Sequence, residues 1–411
     1  MSKKLSIGLF GFGVVGQGLY DIISTKDLNI EIRKIVIKDP GKPRSLPSEL
    51  FSTDAGDILN DPEINTVIEL INDADAAFHI TATSLKNGKN VVSANKKMVA
   101  EHLDQLVAIQ EEYGTSLLYE GSVCGSIPII RNLEEYYDNE LLHSISGIFN
   151  GSSNYILSKI ANEGLEYNDA LKQAQDLGFA EKDPRLDVGG YDAKYKLVIA
   201  AAHAYGVFLK PEEVLNVGIH NFSAADLVFA QEHNLKVKLV PTAKKLNEKE
   251  IALYVAPQLV PKSDFLYNVE NEYNAVSVKA AFADQQLFYG KGAGGHPTGS
   301  AVLSDIAALR YDYRYEYKKY HQNSQLGIQN DYVLPVYVRY NDEKLIDQIN
   351  FEYIIEQHRS IDLNYLLAGV KISELNAKKS LIDADKAFIA QAAALTDKFK
   401  TYNQASVELA V

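Results

Sequence analysis

The sequence predicts an α/β protein: a Rossmann-type parallel sheet at the N-terminus, an α+β domain after it, and a small C-terminal α/β segment. Three observations predict this. Over the first 120 residues, short β-branched runs alternate with helix-period stretches, the pattern of βαβ units. A Gly-rich turn, Gly11-Phe12-Gly13-Val14-Val15-Gly16, follows the first run directly. From about Leu133 the alternation gives way to grouped helices and then grouped strand-like runs, which suits a separate mixed domain.

In order, the expected strands are Leu5–Phe10, Ile32–Ile37, Thr66–Ile71, Asn90–Ser93 and Ser116–Glu120, with helices such as Gly13–Ile23 and Met98–Tyr113 between them. Ser144–Phe149 reads as a strand, and Ser153–Glu163, Asn168–Leu177 and Tyr191–Tyr205 read as helices. Strand-like runs follow at Leu235–Leu246, Ile251–Leu259, Ala275–Phe282 and Gln286–Gly290. Pro241 marks the first of these as an edge strand or a bulge. The expected division is 1–132 for dinucleotide binding and 133–298 for substrate binding and catalysis. Residues 299–325 form a returning helix with its linker, and 326–411 a divergent effector-type domain.

Composition narrows the function. The 411 residues are 46% hydrophobic and carry a net charge of −13, so there is no cationic excess to replace counterions on nucleic acid. Cys124 is the single cysteine, which excludes a disulfide framework and a Cys-rich zinc site and points to a reducing, cytoplasmic compartment. No signal-peptide pattern opens the chain. The longest nearly apolar stretch, Leu197 to Leu209, is too short to span a bilayer. No membrane or nucleic-acid partner is expected.

Five segments can carry chemistry. The Gly11–Gly16 turn sits between a strand and a helix with a second strand about 20 residues on, the full context of a dinucleotide fingerprint. Its glycines permit the tight turn, and the helix N-terminus offers N–H groups to phosphates. At the end of the second strand, Lys38 stands near the position where an acidic residue would favour NAD, with Asp39, Lys42 and Arg44 close behind. NADP(H) is therefore the preferred cofactor, with NAD(H) as the alternative through Asp39. Ser93-Ala94-Asn95-Lys96 lies at the carboxyl end of a strand, where ligands bind in open α/β sheets.

The most specific segment runs from Gln173 to Lys196 and includes Glu181, Asp183, Asp187 and Asp192. Asp192 and Lys196, at i and i+4, share a helix face; spacing alone suits a surface ion pair as well as a catalytic one. The turns at 120–128 and 290–299 are Gly-rich. The first, with Glu120 and several backbone carbonyls, is a candidate oxygen cage for a hard cation or a plain loop. The second, holding Gly292, could bring backbone close to a cofactor. His296 is a lone histidine and is not taken as a metal ligand.

Together these segments resemble homoserine dehydrogenase. The resemblance runs from the fingerprint to about residue 310 and is carried by Ala174, Gly178, Asp183-Pro184, Asp187, Gly190, Asp192 and Lys196, by Ile148-Phe149-Asn150-Gly151-Ser152-Ser153-Asn154-Tyr155, by Ser-Ala-Asn-Lys, and by Gly-Lys-Gly-Ala-Gly-Gly. It implies reversible hydride transfer between aspartate 4-semialdehyde and homoserine, on the route to threonine, methionine and isoleucine. By resemblance, Lys196 is the acid–base group and Asp192 orients it. Glu181, with Gly151 and Ser152, binds the amino-acid substrate. Ser93, Lys96 and Gly292 serve the cofactor, and Glu120 with the carbonyls of Val123, Gly125 and Ile127 holds sodium. It also implies a homodimer or higher homo-oligomer, and a monofunctional form is expected since no kinase-like region precedes the fingerprint. The competing readings are a sugar or polyol dehydrogenase of similar plan and a non-catalytic dinucleotide-sensing regulator. The departure lies after residue 330, where the turn usual in the family's regulatory domain has no glycine.

Overall fold

The computed structural model describes residues 4–25, 28–138, 141–322, 326–361 and 363–395. The chain divides into two compact units. The first comprises residues 1–141, 198–211 and 288–324; the second comprises 142–197, 212–287 and 325–411.

The first unit holds a six-stranded parallel sheet of β1 (Leu5–Phe10), β2 (Ile30–Val36), β3 (Phe51–Ser52), β4 (Thr66–Glu69), β5 (Asn90–Ser93) and β6 (Leu117–Leu118), in the order β3-β2-β1-β4-β5-β6. Every residue of β1 is buried, as expected for parallel strands covered on both faces. The helix Ala74–Lys86 is capped by the Asp73 carboxylate, and Lys96–Tyr113 by Asn95 Oδ1, which accepts from the Met98 N–H at 3.0 Å; Gly114 ends the latter in the left-handed region. The helix Gly295–Leu309 returns to this unit and crosses Val14–Ser24 closely: a Cβ on Gly18 would lie 2.4 Å from the Gly295 carbonyl carbon.

The second unit is built on a mixed sheet. Its strands are β7 (Leu142–Ile148), β8 (Leu215–Asn216), β9 (Leu235–Lys245), β10 (Glu250–Pro261), β11 (Tyr273–Ala280), β12 (Gln285–Lys291), β13 (Gly327–Ile328), β14 (Val333–Arg339), β15 (Phe351–Arg359), β16 (Asn364–Lys371) and β17 (Phe388–Gln391). The main path is β12-β11-β7-β9-β10-β17-β14-β16-β15, with β8 and β13 beside β10.

Pro241 meets its expectation locally. Strand β9 lies between β7 and β10, but pairing with β7 covers only Lys244, Ala243 and Thr242, so at Pro241 the strand is paired on one side alone and the missing N–H falls where that ladder has just ended. One expectation needs correcting: residues 326–411 are not a separate domain among the described residues. Their strands join β10 through Gln258 and Gln391, and Leu334, Val336, Leu366 and Ile389 share one buried cluster with Ala252, Tyr254 and Ala256 of β10. Within that segment the order strand–helix–strand–strand–helix–strand is nonetheless complete. Among the described residues, no helix is long and apolar enough to cross a membrane.

Candidate active site

In the first unit, Gly11 has φ +91, and a Cβ there would lie 2.7 Å from the Leu70 carbonyl oxygen. A Cβ on Gly16 would lie 2.5 Å from the Gly11 carbonyl oxygen. Both positions therefore require glycine. Around Gly13 a Cβ would meet nothing within 4 Å. The helix that Gly13 begins has no side-chain cap, and Val14 in its first turn is 73% exposed. This is a pre-formed space beside uncapped helix N–H groups, which fits the phosphates of a dinucleotide. Phe12 meets Phe51 edge-on at 5.5 Å, and the Arg44 guanidinium lies 5.3 Å from the Phe51 ring centre. A hollow of about 510 Å³ opens there, lined by Ile37, Lys42, Arg44 and Phe51 among others. Lys38 is exposed and not part of that lining. Arg44 instead ties the loop, donating to the carbonyls of Lys42 and Asp39.

The strand ends hold a carboxylate that sequence reading missed. Glu69 closes β4, and its oxygens accept from the Ile71 N–H at 2.8 Å and the Ser93 hydroxyl at 2.5 Å. Burial pushes its carboxyl up to about 7. A Glu inside the run Thr-Val-Ile-Glu-Leu-Ile was the available signal. Ser93 also accepts from the Asn95 N–H, so its hydroxyl shapes the turn from which Lys96 starts its helix.

Glu120 is buried. Its carboxylate accepts from the N–H groups of Ile130 and Arg131 at 2.8 and 2.9 Å, and its own N–H donates to Asp305. Burial and the nearby Asp305 push Glu120 up to about 8; burial also raises Asp305 to about 6, against the pull of Arg131. Both Glu120 oxygens thus already cap a helix start. Cys124 and Gly125 both have φ +54, and a Cβ on Gly125 would lie 2.6 Å from the Gly292 carbonyl. That close packing is what Gly125 and Gly292 provide. Val123 and Ile127 are buried beside them.

In the second unit, spacing alone allowed the Asp192–Lys196 pair to lie on the surface, but the structure buries it. The helix Tyr191–Tyr205 is buried almost all round, and both side chains are less than a tenth exposed. Lys196 Nζ donates to Asp192 Oδ2 at 2.8 Å and to the Phe149 carbonyl at 2.6 Å. A buried ammonium must be paired and hydrogen-bonded, and the corner after β7 supplies that carbonyl. Asn150, at the same corner, donates to Asp192 and Asp187. Next in the chain, a Cβ on Gly151 would lie 2.6 Å from the Glu272 carbonyl oxygen, and the Ser152 hydroxyl donates to the Phe179 carbonyl at 2.5 Å. Ser152 thereby holds the start of the loop that carries Glu181, whose side chain is exposed. The structure thus brings Asp192, Lys196, Asp187, Gly151 and Ser152 around one corner.

The sequence matches two family models, "Homoserine dehydrogenase, NAD binding domain" over residues 11–120 and "Homoserine dehydrogenase" over residues 128–307. The homoserine dehydrogenase of Helicobacter pylori is 39% identical over 317 residues, 75% of this chain and 74% of that protein. The crystal structure of a homoserine dehydrogenase from Thiobacillus denitrificans is similar with TM-score 0.82 and 29% identity, covering 95% of this chain and 98% of that one. A hyperthermophilic archaeal homoserine dehydrogenase mutant in complex with NADPH is similar with TM-score 0.66 and 26% identity, covering 76% of this chain and 100% of that one. The chain belongs to the homoserine dehydrogenase family, NAD(P)-dependent oxidoreductases acting on a CH–OH group.

Proposed function

We propose that this enzyme interconverts L-aspartate 4-semialdehyde and L-homoserine, in the synthesis of threonine, methionine and isoleucine in the cytoplasm. The observation that carries the reading is the buried Lys196–Asp192 pair. An ammonium has three donors, and two are spent on Asp192 and Phe149. The third suits the substrate oxygen: it stabilises the developing alkoxide and then gives up its proton. In the oxidation direction, deprotonated Lys196 takes the hydroxyl proton. Asp192 holds Nζ in place. The substrate carries both an ammonium and a carboxylate, so Glu181 is assigned to its ammonium, with Gly151 and Ser152 forming the corner against it.

The nicotinamide cofactor, when bound, supplies or accepts the hydride. Gly11, Phe12, Gly13, Val14, Val15 and Gly16 would hold its pyrophosphate, with Ser93, Lys96 and Gly292 assigned to its nicotinamide side. NADP(H) is favoured because Lys42 and Arg44 line the hollow at the end of β2; Lys38 contributes charge from outside it. A sodium ion would draw on the carbonyls of Glu120, Val123, Gly125 and Ile127, since the Glu120 carboxylate is engaged with backbone N–H groups. A homodimer or higher homo-oligomer completes the reading.

The test is homoserine oxidation followed by absorbance with NAD and NADP in parallel. The expected result is turnover with both and a higher kcat/KM for NADP that falls in Arg44→Ala. No turnover of homoserine with either cofactor overturns the substrate, and an NAD preference indifferent to Arg44 overturns the cofactor assignment.

A further inference from the structure

Asn150 occupies a position that the fingerprint and signature leave without a role. It ends the segment after β7 in an extended conformation, φ −128 and ψ 116, and is the N-cap of the helix Gly151–Glu163. Its Oδ1 accepts from the Ser153 N–H at 2.7 Å. Its Nδ2 donates to Asp187 Oδ1 at 2.7 Å and to Asp192 Oδ2 at 3.0 Å. The amide orientation is fixed by this pattern, because a flipped amide would set its NH₂ against an N–H and its oxygen against two carboxylates. Asn150 is 5% exposed, so water does not substitute easily for it.

The same Asp192 Oδ2 that takes the Asn150 N–H also takes the ammonium of Lys196, and that ammonium donates as well to the carbonyl of Phe149, the residue before Asn150. The charged groups gathered here are Asp187 on the short helix Arg185–Val188, and Asp192 and Lys196 on Tyr191–Tyr205. Two carboxylates converge on the Asn150 amide, and one of them, Asp192, also takes the ammonium. A neutral donor with two hydrogens lets both approach without a second cation.

We propose that Asn150 is a positioning residue of the reaction: it holds Asp187 and Asp192 together and, through Asp192, aims the Lys196 ammonium at the substrate oxygen. The inference rests on the role given to Lys196 above. Capping needs only an acceptor oxygen, which Ser or Asp supplies at an N-cap. Bridging two carboxylates needs the NH₂. The two duties can therefore be separated by substitution.

The experiment compares Asn150→Ser and Asn150→Asp with wild type in kcat, KM and the pH profile of homoserine oxidation, alongside thermal melting. Both variants keep a cap and lose the bridge. Misplacement of a catalytic group by about 1 Å costs on the order of 100-fold, so kcat should fall about 10- to 100-fold while cofactor KM stays within about twofold. Losing the donor leaves the carboxylate charges less compensated, which favours the protonated form of the neighbouring Lys196. The acid limb of the profile should therefore move to higher pH, further in Asn150→Asp, which adds a third carboxylate. If Asn150→Ser does not fold, the near-isosteric Asn150→Asp decides alone. Wild-type kcat and an unmoved acid limb in a folded variant overturn the inference and reduce Asn150 to a cap. If wild type itself does not oxidise homoserine, the parent reading fails and this one with it; if only Lys196→Ala is inactive and the Asn150 variants are normal, this one alone fails.

Discussion

The two units build their sites from different material. In the nucleotide unit the proposed pyrophosphate site is backbone: a Cβ on Gly11 or Gly16 would lie 2.7 or 2.5 Å from a carbonyl oxygen, and Gly13 faces open space. In the other unit the site is side chain: Lys196, Asp192 and Asn150 are all buried and joined by hydrogen bonds of 2.8 and 3.0 Å. A backbone site needs few side chains and tolerates change except where a Cβ collides. A site of buried charges depends on each partner, because removing one leaves the others desolvated and unpaired.

The largest effect should come from the side-chain site. Lys196→Ala removes the proposed proton carrier, and loss of general acid–base catalysis costs about 10²–10⁴-fold. Turnover should fall in that range while dinucleotide binding, measured by fluorescence titration, is unchanged. A variant keeping a third of wild-type kcat would place the proton transfer elsewhere.

The backbone site should respond by position. In Gly16→Ala the new Cβ meets the Gly11 carbonyl oxygen, and such overpacking costs about 1–3 kcal/mol, so the melting temperature should fall together with cofactor affinity. Gly13→Ala has room for its Cβ and an ordinary φ of −85. Its melting temperature should hold while the cofactor KM rises about tenfold, roughly 1.4 kcal/mol. Equal melting losses in both would mean that Gly13 is needed by the loop itself rather than by a ligand.

A third contrast is in pH dependence. The Glu69 carboxyl is raised by burial from 4.5 to about 7, so between those values the folded state binds more protons than the unfolded state. Stability should fall as pH rises through that window, by up to about 3 kcal/mol. Lys194 in the other unit donates to Asn216 at 2.9 Å, and burial lowers it from 10.5 to about 8. Here the unfolded state binds more protons, so its contribution grows as pH rises from 8 to 10.5. Urea unfolding of Glu69→Gln at pH 5, 8 and 10 should show a smaller first slope, the remainder coming from Glu120 and Asp305, which burial raises into the same window, and the slope above pH 8 should remain. An unchanged slope between pH 5 and 8 would mean that Glu69 stays ionised in the fold.

What was legible in the sequence follows from the same contrast. A backbone site is written in glycine spacing, so Gly11–Gly16 and the parallel strands could be read directly. The signature residues could be read as types and spacing, but burial of the Asp192–Lys196 pair could not, because it depends on what packs around a helix whose every face meets core. Asn150 lies within the Ile148–Tyr155 segment with no role that its residue type assigns; its duties appear only when the helix Gly151–Glu163 starts on it and residues 37 and 42 positions away converge on it. The segment after residue 326 joins the β10 sheet for a reason that local pattern does not name: strand neighbours come from distant sequence.

The smallest expected effect concerns the C-terminal segment, where threonine should inhibit weakly or not at all. An effector site in a strand-to-helix turn needs backbone N–H groups open to a ligand. After β14 the N–H groups of Asn341 and Asp342 both donate to the Asp385 carboxylate at 2.9 Å, and the Asn341 side chain donates to the Asp385 carbonyl at 2.5 Å. The turn is closed by the chain's own carboxylate. Gly369, the one glycine after Asn341, does not relieve this: a Cβ there would lie 2.3 Å from the Tyr353 ring, so its missing side chain makes room for that ring. Inhibition would require threonine to bind one state better than another, and displacing Asp385 works against it. Titrating threonine into the homoserine assay should leave half-inhibition above about 1 mM, an affinity of roughly −4 kcal/mol. Asp385→Ala should loosen the turn without making the enzyme sensitive. Half-inhibition far below 1 mM in wild type would show that the segment keeps an effector site elsewhere than in this turn.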